Sequence, residues 1–495
     1  MSFQKKLQQV KDKTTYGYVL KYTSLFGSVQ GVKMLASLVR NKITARLLGT
    51  AGAGLIGIYG SMTEFVVGCT SMGLPLSATR ETSHCFEHGT HTDLARLICI
   101  IRTWAVWTSV LASLLCLLLS PLLSYIFFDY DTGHWFEVLP LIPIVVSLLV
   151  AEAECSILKG VRQLRRVATL ESIVALTTLL FTVPFYYFLG MRGVVCGLVA
   201  STVVACGVHL RYSLPLFPYK IRPFSREVLA EGLPLIRKGI PYAMATLTGA
   251  AVSMLIPAMI LFLDSLSEVG LYRSGFALLT AFSGVAFVAL ETDYYPRLSG
   301  ARDFGEVNHA LRQQVDVCLM LITPCLILFL TVMPMLIRLL LTADFLGMHN
   351  MMLLASFYIF LRGIILPYSY IPLSRGDSKI YLLVEVLSGL VTLGCIAVCF
   401  KYLGITGAGL ALSAGAVFDT AVCLIVYGRR YKCFLTPQNW VRAGVQFVCL
   451  TLAVLICHFY SESAVLKYVL AAAVFTISAL VSLLSLHNKM KKPGC

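Results

Sequence analysis

The chain is 495 residues long, 58% hydrophobic and 13% charged; a soluble chain carries about 25% charged residues, so too little polar surface remains for a sizeable soluble domain, and a membrane protein is expected. A net charge of +15 does not mark a nucleic-acid partner, because Lys and Arg recur in short clusters between apolar runs instead of gathering on one domain. The 16 Cys fall mostly inside those runs without paired Cys-x-x-Cys motifs, which reads as small apolar packing and not as a disulfide framework or a metal site.

Residues 1–19 form a polar tail with Lys5, Lys6, Lys11 and Lys13 and no signal-peptide pattern. It is expected in the cytoplasm, as an amphipathic helix on the membrane surface. Apolar runs long enough to span then follow at 20–47, 53–79, 95–127, 137–158, 166–190, 192–212, 239–263, 267–295, 309–341, 346–374, 379–401, 404–428, 440–460 and 465–487, about fourteen spans in an all-α integral membrane fold. Basic residues mark alternate connections. One face takes the N-terminal lysines, Arg80, Arg96, Lys159, Arg162, Arg165, Arg166, the run from Arg211 to Lys238, Arg297, Arg302, Arg312, Arg375, Lys379, Arg429, Arg430, Lys432, Arg442 and the C-terminal lysines; the other takes Arg46, Arg192, Lys401 and Lys467. By the positive-inside rule both termini lie in the cytoplasm and the number of crossings is even.

The chain repeats itself. Leu189-Gly190-Met191-Arg192-Gly193 matches Leu403-Gly404-Ile405-Thr406-Gly407, and Glu171 matches Glu385 at the same offset. Gly57-Ile58-Tyr59 with Ser61 matches Gly270-Leu271-Tyr272 with Ser274, and Leu158-Lys159-Gly160 resembles Ser374-Arg375-Gly376, at nearly that offset. Duplication of a six-helix unit follows: an N-lobe over 20–212, a linker over 213–238, a C-lobe over 239–428, a helix pair over 440–487 outside the duplication, and a tail over 488–495. An even-numbered unit keeps its orientation, so the lobes are expected to be related by an axis along the membrane normal, with a site between them.

Polar residues in the spans mark that site. Thr23, Gln30, Lys33, Ser37, Arg40 and Thr44 share one stripe of the first span. A cation near the bilayer centre costs a few kcal/mol at least, so Lys33, at mid-span, is expected in a wet cavity; Arg40, Lys42 and Arg46 lie closer to the outer end, where snorkelling competes. Gly57, Ser61, Glu64, Gly68 and Ser71 share a stripe of the second span. Glu64 is expected to pair with Lys33 or Arg40, or else to bind a proton or sodium ion. The eighth span carries Arg273, Thr280, Gly284 and Glu291; Arg102 lies in the third and Arg362 in the tenth. As a group these cations favour an anionic cargo. Glu152, Glu154, Glu171, Glu385 and Asp419 are the other acids in spans, expected to pair with basic inner loops, with proton or sodium coupling as the second role. Pro241 and Pro257 are positioned to kink the seventh span. His84, His88 and His91, beside Cys85 and Glu87, read as a solvated inner loop. Phosphate-loop, His-Glu-x-x-His and Gly-x-Ser-x-Gly motifs are missing. The longest outer connection, 128–136, leaves no room for a catalytic domain, so neither an enzyme nor a resident cofactor is expected.

The stretch from Ser24-Leu25-Phe26-Gly27 through Arg40-Asn41-Lys42 and Ala45-Arg46-Leu47-Leu48-Gly49-Thr50-Ala51-Gly52-Ala53-Gly54-Leu55 resembles the start of Wzx-type oligosaccharide flippases of the multidrug/oligosaccharidyl-lipid/polysaccharide (MOP) exporter superfamily. Gly73-Leu74, Ala78-x-Arg80 and Tyr295-Pro296-Arg297-Leu298-Ser299 fit as well. The resemblance implies two lobes, alternating access in the bacterial inner membrane, and a cargo of undecaprenyl diphosphate carrying an O-antigen, capsule or exopolysaccharide repeat unit. The diphosphate would meet Lys33, Arg40 and Arg273 while the prenyl tail stays in membrane lipid, and a polysaccharide polymerase and export machinery would take the product. The last two helices resemble the extra pair of lipid II flippases, so a lipid II cargo is the first alternative. A multidrug extruder, opposed by the cationic first span, and a membrane glycosyltransferase or polymerase, opposed by the short outer loops, are the others.

Overall fold

Where no water can take a backbone N–H or C=O, a helix is the arrangement in which one segment satisfies its own polar groups, and apolar runs through nearly the whole chain demand it. The computed structural model, which describes residues 16–127, 136–300, 303–460 and 465–490, has thirteen α-helices and no strand among those residues. In chain order they are α1 (Tyr16–Thr70), α2 (Leu74–His88), α3 (His91–Phe127), α4 (Leu141–Gly160), α5 (Leu164–Leu189), α6 (Gly193–Ser213), α7 (Arg226–Leu263), α8 (Leu266–Gly300), α9 (Phe304–Leu340), α10 (His349–Ser374), α11 (Ser378–Tyr431), α12 (Pro437–Phe459) and α13 (Val465–Met490). Ten segments of the described residues are long and apolar enough to cross a membrane.

The expected spans map onto these helices with three differences. The first and second, and the eleventh and twelfth, join into the long helices α1 and α11, which bend at Gly49 (φ 64°, ψ −161°) and Gly404 (φ 57°, ψ −141°). The second span stops early: Met72 and Gly73 take positive φ, and α2 restarts with Pro75 in its first turn. His84 and His88 therefore lie on a helix, their rings stacked at 4.9 Å, and not in a loop. Third, the connection expected over 213–238 is helical from Arg226, and α7 runs on without a break through Pro241 and Pro257. The expected outer connection 128–136 lies almost wholly outside the described residues.

The chain forms two compact units. One holds the chain to Leu48 and Met62–Ala243; the other holds Gly49–Ser61 and the chain from Met244. The division falls inside α1 and α7 and not in the connections.

In the first unit Leu74, Ala78, Ile98, Ile101, Ala105, Ala153, Ile157, Leu235 and Ile236 form a buried cluster from α2, α3, α4 and the start of α7. Between membrane helices close packing, more than expulsion of water, supplies attraction, and small residues permit it. Gly160 is an example: a Cβ there would meet the Thr82 side chain at 2.5 Å. In the second unit Gly54 and Gly270 bring the start of the second span against α8. A Cβ on Gly270 would lie 1.9 Å from the Thr50 carbonyl oxygen, and Thr50 Oγ1 lies 2.5 Å from Ser267 Oγ.

The duplicated Leu-Gly-x-x-Gly segments form the same corner twice. Gly190 (φ 56°, ψ −133°) and Gly404 adopt one conformation, open only to glycine. A Cβ on Gly193 would fall 2.1 Å from the Phe185 carbonyl oxygen, and one on Gly407 would fall 2.0 Å from that of Cys399, the residue equivalent to Phe185. Outside the duplication, α12 starts on a capping box: Thr436 and Asn439 bond each other's backbone N–H groups, and Pro437 fills the first turn. Gln446 of α12 bonds Ser478 and Ser482 of α13 at 2.6 and 2.9 Å, a buried polar link between the two helices.

Candidate functional site

The first span is two-faced, as its stripe predicts. Met34, Leu35 and Val39 are exposed along one side, as a lipid-facing surface requires, whereas Ala36, Thr44 and Ala45 are buried and Lys33, Ser37 and Arg40 are half-buried. Lys33 Nζ donates to Glu171 Oε2 of α5 at 2.7 Å, with the two side chains 40% and 25% exposed. Both groups thus keep accessible surface, Lys33 midway along the first span, where an ammonium facing hydrocarbon would be costly, and Glu171 about two turns into α5. Lys159 and His209 are near enough to act electrostatically on Glu171, and Arg40 on the buried Tyr186. Lys42 is half-buried and Arg46 exposed, while Glu64 is exposed on α1. The Gln30 side chain lies outside the described residues.

Arg102 has a different place. Its guanidinium grips Glu154 through two bonds of 2.7 and 2.9 Å, both side chains being 1% exposed. It also donates to the carbonyls of Phe217 and Pro218 and to Ser213 Oγ, and lies 4.9 Å from the centre of the Tyr219 ring. Every direction in which the guanidinium donates is filled from within the first unit. Arg102 ties α3, α4 and α6 to the connection that follows, and it presents no charge to a cargo.

In the second unit Arg273 lies across a glycine shelf. A Cβ on Gly57 would meet its Cγ at 2.9 Å and one on Gly60 would meet its Nη2 at 3.4 Å, while Nη1 donates to Ser253 Oγ at 3.3 Å. Arg362, half-buried, donates to the Tyr358 hydroxyl at 2.8 Å and sits 5.9 Å from the Phe287 ring centre. It acts on two carboxylates, Glu385 and Asp419. Asp419 accepts from Ser388 Oγ at 2.7 Å and faces Cys423 Sγ at 3.6 Å, and Glu385 hydrogen-bonds Tyr381. The Glu291 side chain lies outside the described residues. Among the described residues no three His, Cys, Asp or Glu side chains are gathered as a metal site requires.

The structure thus brings Lys33 to Glu171, Arg362 to Glu385 and Asp419, and Arg102 to a partner of its own, Glu154. The first pair can release a cation to an incoming anion by parting; the second group sets two carboxylates within electrostatic reach of each other and of the Arg362 guanidinium. Sequence reading missed Glu171 as the partner of Lys33, having offered Glu64. It also missed the Gly57–Gly60 shelf under Arg273, although Gly57 and Gly60 stand one helical turn apart and signal it.

Helices, corners and polar groups together define a multi-pass membrane protein with the fold of the MOP superfamily. The chain matches the lipid II flippase MurJ in an inward closed conformation with a TM-score of 0.72 and 14% identity, over 93% of this chain and 99% of that one. It matches an inward-facing multidrug resistance MATE family transporter with a TM-score of 0.65 and 13% identity, over 81% and 94%, and a MOP superfamily transporter from Pyrococcus furiosus with a TM-score of 0.55 and 14% identity, over 82% and 93%. The model of the family described as "Polysaccharide biosynthesis protein" matches residues 19–301, more than half of the chain, and the chain belongs to that family. None of the curated proteins matches it.

Proposed function

We propose that this protein is a flippase that moves an undecaprenyl-diphosphate-linked oligosaccharide, an O-antigen, capsule or exopolysaccharide repeat unit, from the cytoplasmic to the periplasmic leaflet of a bacterial inner membrane by alternating access. Both termini lie in the cytoplasm on this reading, as the distribution of Lys and Arg supports. Membership of the polysaccharide biosynthesis family supports a sugar-bearing cargo. The observation that carries the reading is Lys33, a 40% exposed ammonium at the middle of a spanning helix with one carboxylate against it. A diphosphate exchanges for Glu171 on Lys33, since both are anionic acceptors and the diphosphate is the stronger one. Arg40, Arg273 and Arg362 are the further cations we assign to the passage of the cargo. The sugars travel in water and the prenyl tail in lipid. Glu385 and Asp419 are the groups we assign to a coupling proton or sodium ion, and a polysaccharide polymerase takes the product.

Lipid II is the second cargo to test, because the fold match to a lipid II flippase covers nearly the whole of both chains, and both cargoes present a prenyl diphosphate. The test is reconstitution of the full chain in proteoliposomes with fluorescent undecaprenyl-diphosphate oligosaccharide or fluorescent lipid II, scoring protein-dependent loss of the label from quenching on one side. Faster movement of the oligosaccharide lipid is expected. Movement of neither lipid above that in protein-free vesicles would overturn the reading; preference for lipid II would replace the cargo.

A further inference from the structure

In the first unit the early turns of α7 lie along α3 and are fixed there by polar contacts. Arg96 holds Glu227, at 2.5 Å, and Glu231. The Trp107 indole N–H donates to the Pro223 carbonyl at 3.0 Å, and the backbone N–H of Arg222 donates to Thr103 Oγ1 at 3.1 Å. Beside these contacts a groove of about 510 Å³ opens, lined by Trp104, Trp107, Leu111, Leu229 and Leu233. Thr108 also lines it, but its hydroxyl is spent on the Ala105 carbonyl at 3.0 Å. The Trp104 indole N–H is buried against Gly232, so the open lining of the groove is apolar, and its volume is that of a ligand pocket.

Charge is arranged at one end. Arg226, Leu229 and Leu233 recur at helical spacing on one stripe of α7, so the arginine continues the apolar wall. Arg222 is pinned at the rim by its own backbone, and Lys220 and Arg222 are exposed. Arg96 offsets one of the two nearby acids, Glu227 and Glu231, and the one negative charge left over is outweighed by Lys220, Arg222 and Arg226, so the rim stays net positive. Phe224, between the two arginines, is 90% exposed, and Tyr219, beside Lys220, is partly exposed; tyrosine rings next to basic residues mark the level of lipid headgroups.

We propose that this groove holds the first part of one acyl chain of an anionic glycerophospholipid of the cytoplasmic leaflet, with its phosphate on Arg222 and Arg226. The wall from Trp104 to Leu111 is about 10 Å of helix, which suits the part of an acyl chain next to its headgroup and takes only a fraction of a long prenyl tail. The inference stands apart from the cargo. It needs α3 and α7 to cross the membrane with their basic ends inside, and it gives the amphipathic start of α7 an anchor in the lipid.

The test uses the full chain in phosphatidylcholine nanodiscs doped with phosphatidylglycerol carrying a photoreactive diazirine on one acyl chain, with the labelled peptides mapped by mass spectrometry. Label is expected on residues 104–111 and 229–233, and far less from the matching phosphatidylcholine probe. Replacing both Arg222 and Arg226 by Gln should weaken phosphatidylglycerol labelling about 25-fold, about fivefold for each charge, and Ala230→Trp, which fills the groove, should abolish it. Unlabelled phosphatidylglycerol should compete the label away in the unaltered protein, a readout that does not depend on any variant folding. Equal labelling by the two probes, or full labelling of the Arg222→Gln/Arg226→Gln protein, overturns the proposal. Displacement of the label by undecaprenyl phosphate but not by equal phosphatidylglycerol also overturns it, and assigns the groove to the prenyl chain.

Discussion

Exchange of the two members of the Lys33–Glu171 pair separates a structural role from a transport role. The pair is short, at 2.7 Å, yet 40% and 25% exposed. Two unit charges 4 Å apart interact by about 4 kcal/mol at an effective dielectric constant of about 20, but a pair this open loses most of that to solvent, leaving about 1 kcal/mol. Lys33→Ala should therefore lower the melting temperature of the purified protein by no more than about 2 °C in a chain of this size. Transport should suffer far more. Loss of a charged hydrogen bond to a diphosphate costs about 1.5–3 kcal/mol, or about 10- to 150-fold in the initial rate of flipping at low cargo. The double variant Lys33→Glu/Glu171→Lys restores an ion pair with its polarity reversed. Its melting temperature should return to that of the unaltered protein while flipping stays lost, since the accessible charge on α1 is now negative. Recovery of flipping in the exchanged pair, measured in the same proteoliposomes at equal protein content, refutes the assignment of Lys33 to the cargo and leaves it a structural residue.

Further outcomes follow from the rest of the structure. Arg102→Met or Glu154→Leu alone leaves a charge buried at 1% exposure and should cost about 3–5 kcal/mol; the two changes together should cost less than the sum of the single ones, read from melting curves and membrane yield. Gly193→Ala and Gly407→Ala place a methyl 2.1 and 2.0 Å from a carbonyl oxygen in equivalent corners, and each should destabilise by about 3 kcal/mol; a tolerated change at one position and not the other breaks the equivalence. Asp377 accepts from the Tyr431 hydroxyl at 2.6 Å, and this bond, with help from Arg430, holds its carboxyl below the usual carboxylate range. A depressed folded-state value contributes stability above the unfolded value of about 3.9 and loses it as the pH falls through the depressed one. Melting curves should therefore show this contribution intact at neutral pH and fading only below about pH 4, with Asp377→Asn removing that part of the pH dependence.

The fold was open to sequence reading because the bilayer restricts it so strongly. Apolar length gave the spans, and Leu189–Gly193 and Leu403–Gly407 announced a corner that only glycine can make twice. The start of α7 was less legible. Gly232, Pro234, Arg237 and Lys238 break the apolar run and suggest a connection, yet Val228, Leu235 and Ile236 recur at helical spacing and are buried, so packing against α3 and α2 overrides local propensity. The partner of Lys33 could not be read at all. Several carboxylates lie in spans, and the choice of Glu171, remote in sequence, is made by how α1 and α5 pack. Arg102 shows the opposite limit: a lone Arg in a span looks the same in sequence whether it lines a passage or closes an internal ion pair, and the difference lies in Glu154, Ser213 and two carbonyls contributed from elsewhere in the unit.

The two copies share their corners but not their polar groups, which bears on how the proposed cargo and coupling ion would be divided between them. Glu171 and Glu385 occupy equivalent positions, as do His209 and Cys423. In the first unit the cations Lys33 and Lys159 act on the carboxylate; in the second, Glu385 has a second carboxylate, Asp419, and the cation Arg362. Under the proposed function, a shared scaffold with different charge surroundings would let one unit offer Lys33 to a diphosphate and the other offer Glu385 and Asp419 to a proton or sodium ion. Two identical lobes would bind the same species twice and couple nothing. On this reading, neutralising the acids with Glu385→Gln/Asp419→Asn should leave cargo binding near its original affinity while abolishing the response of flipping to an imposed proton or sodium gradient. If the same variant loses cargo binding and keeps the gradient response, the division of labour between the two units is refuted.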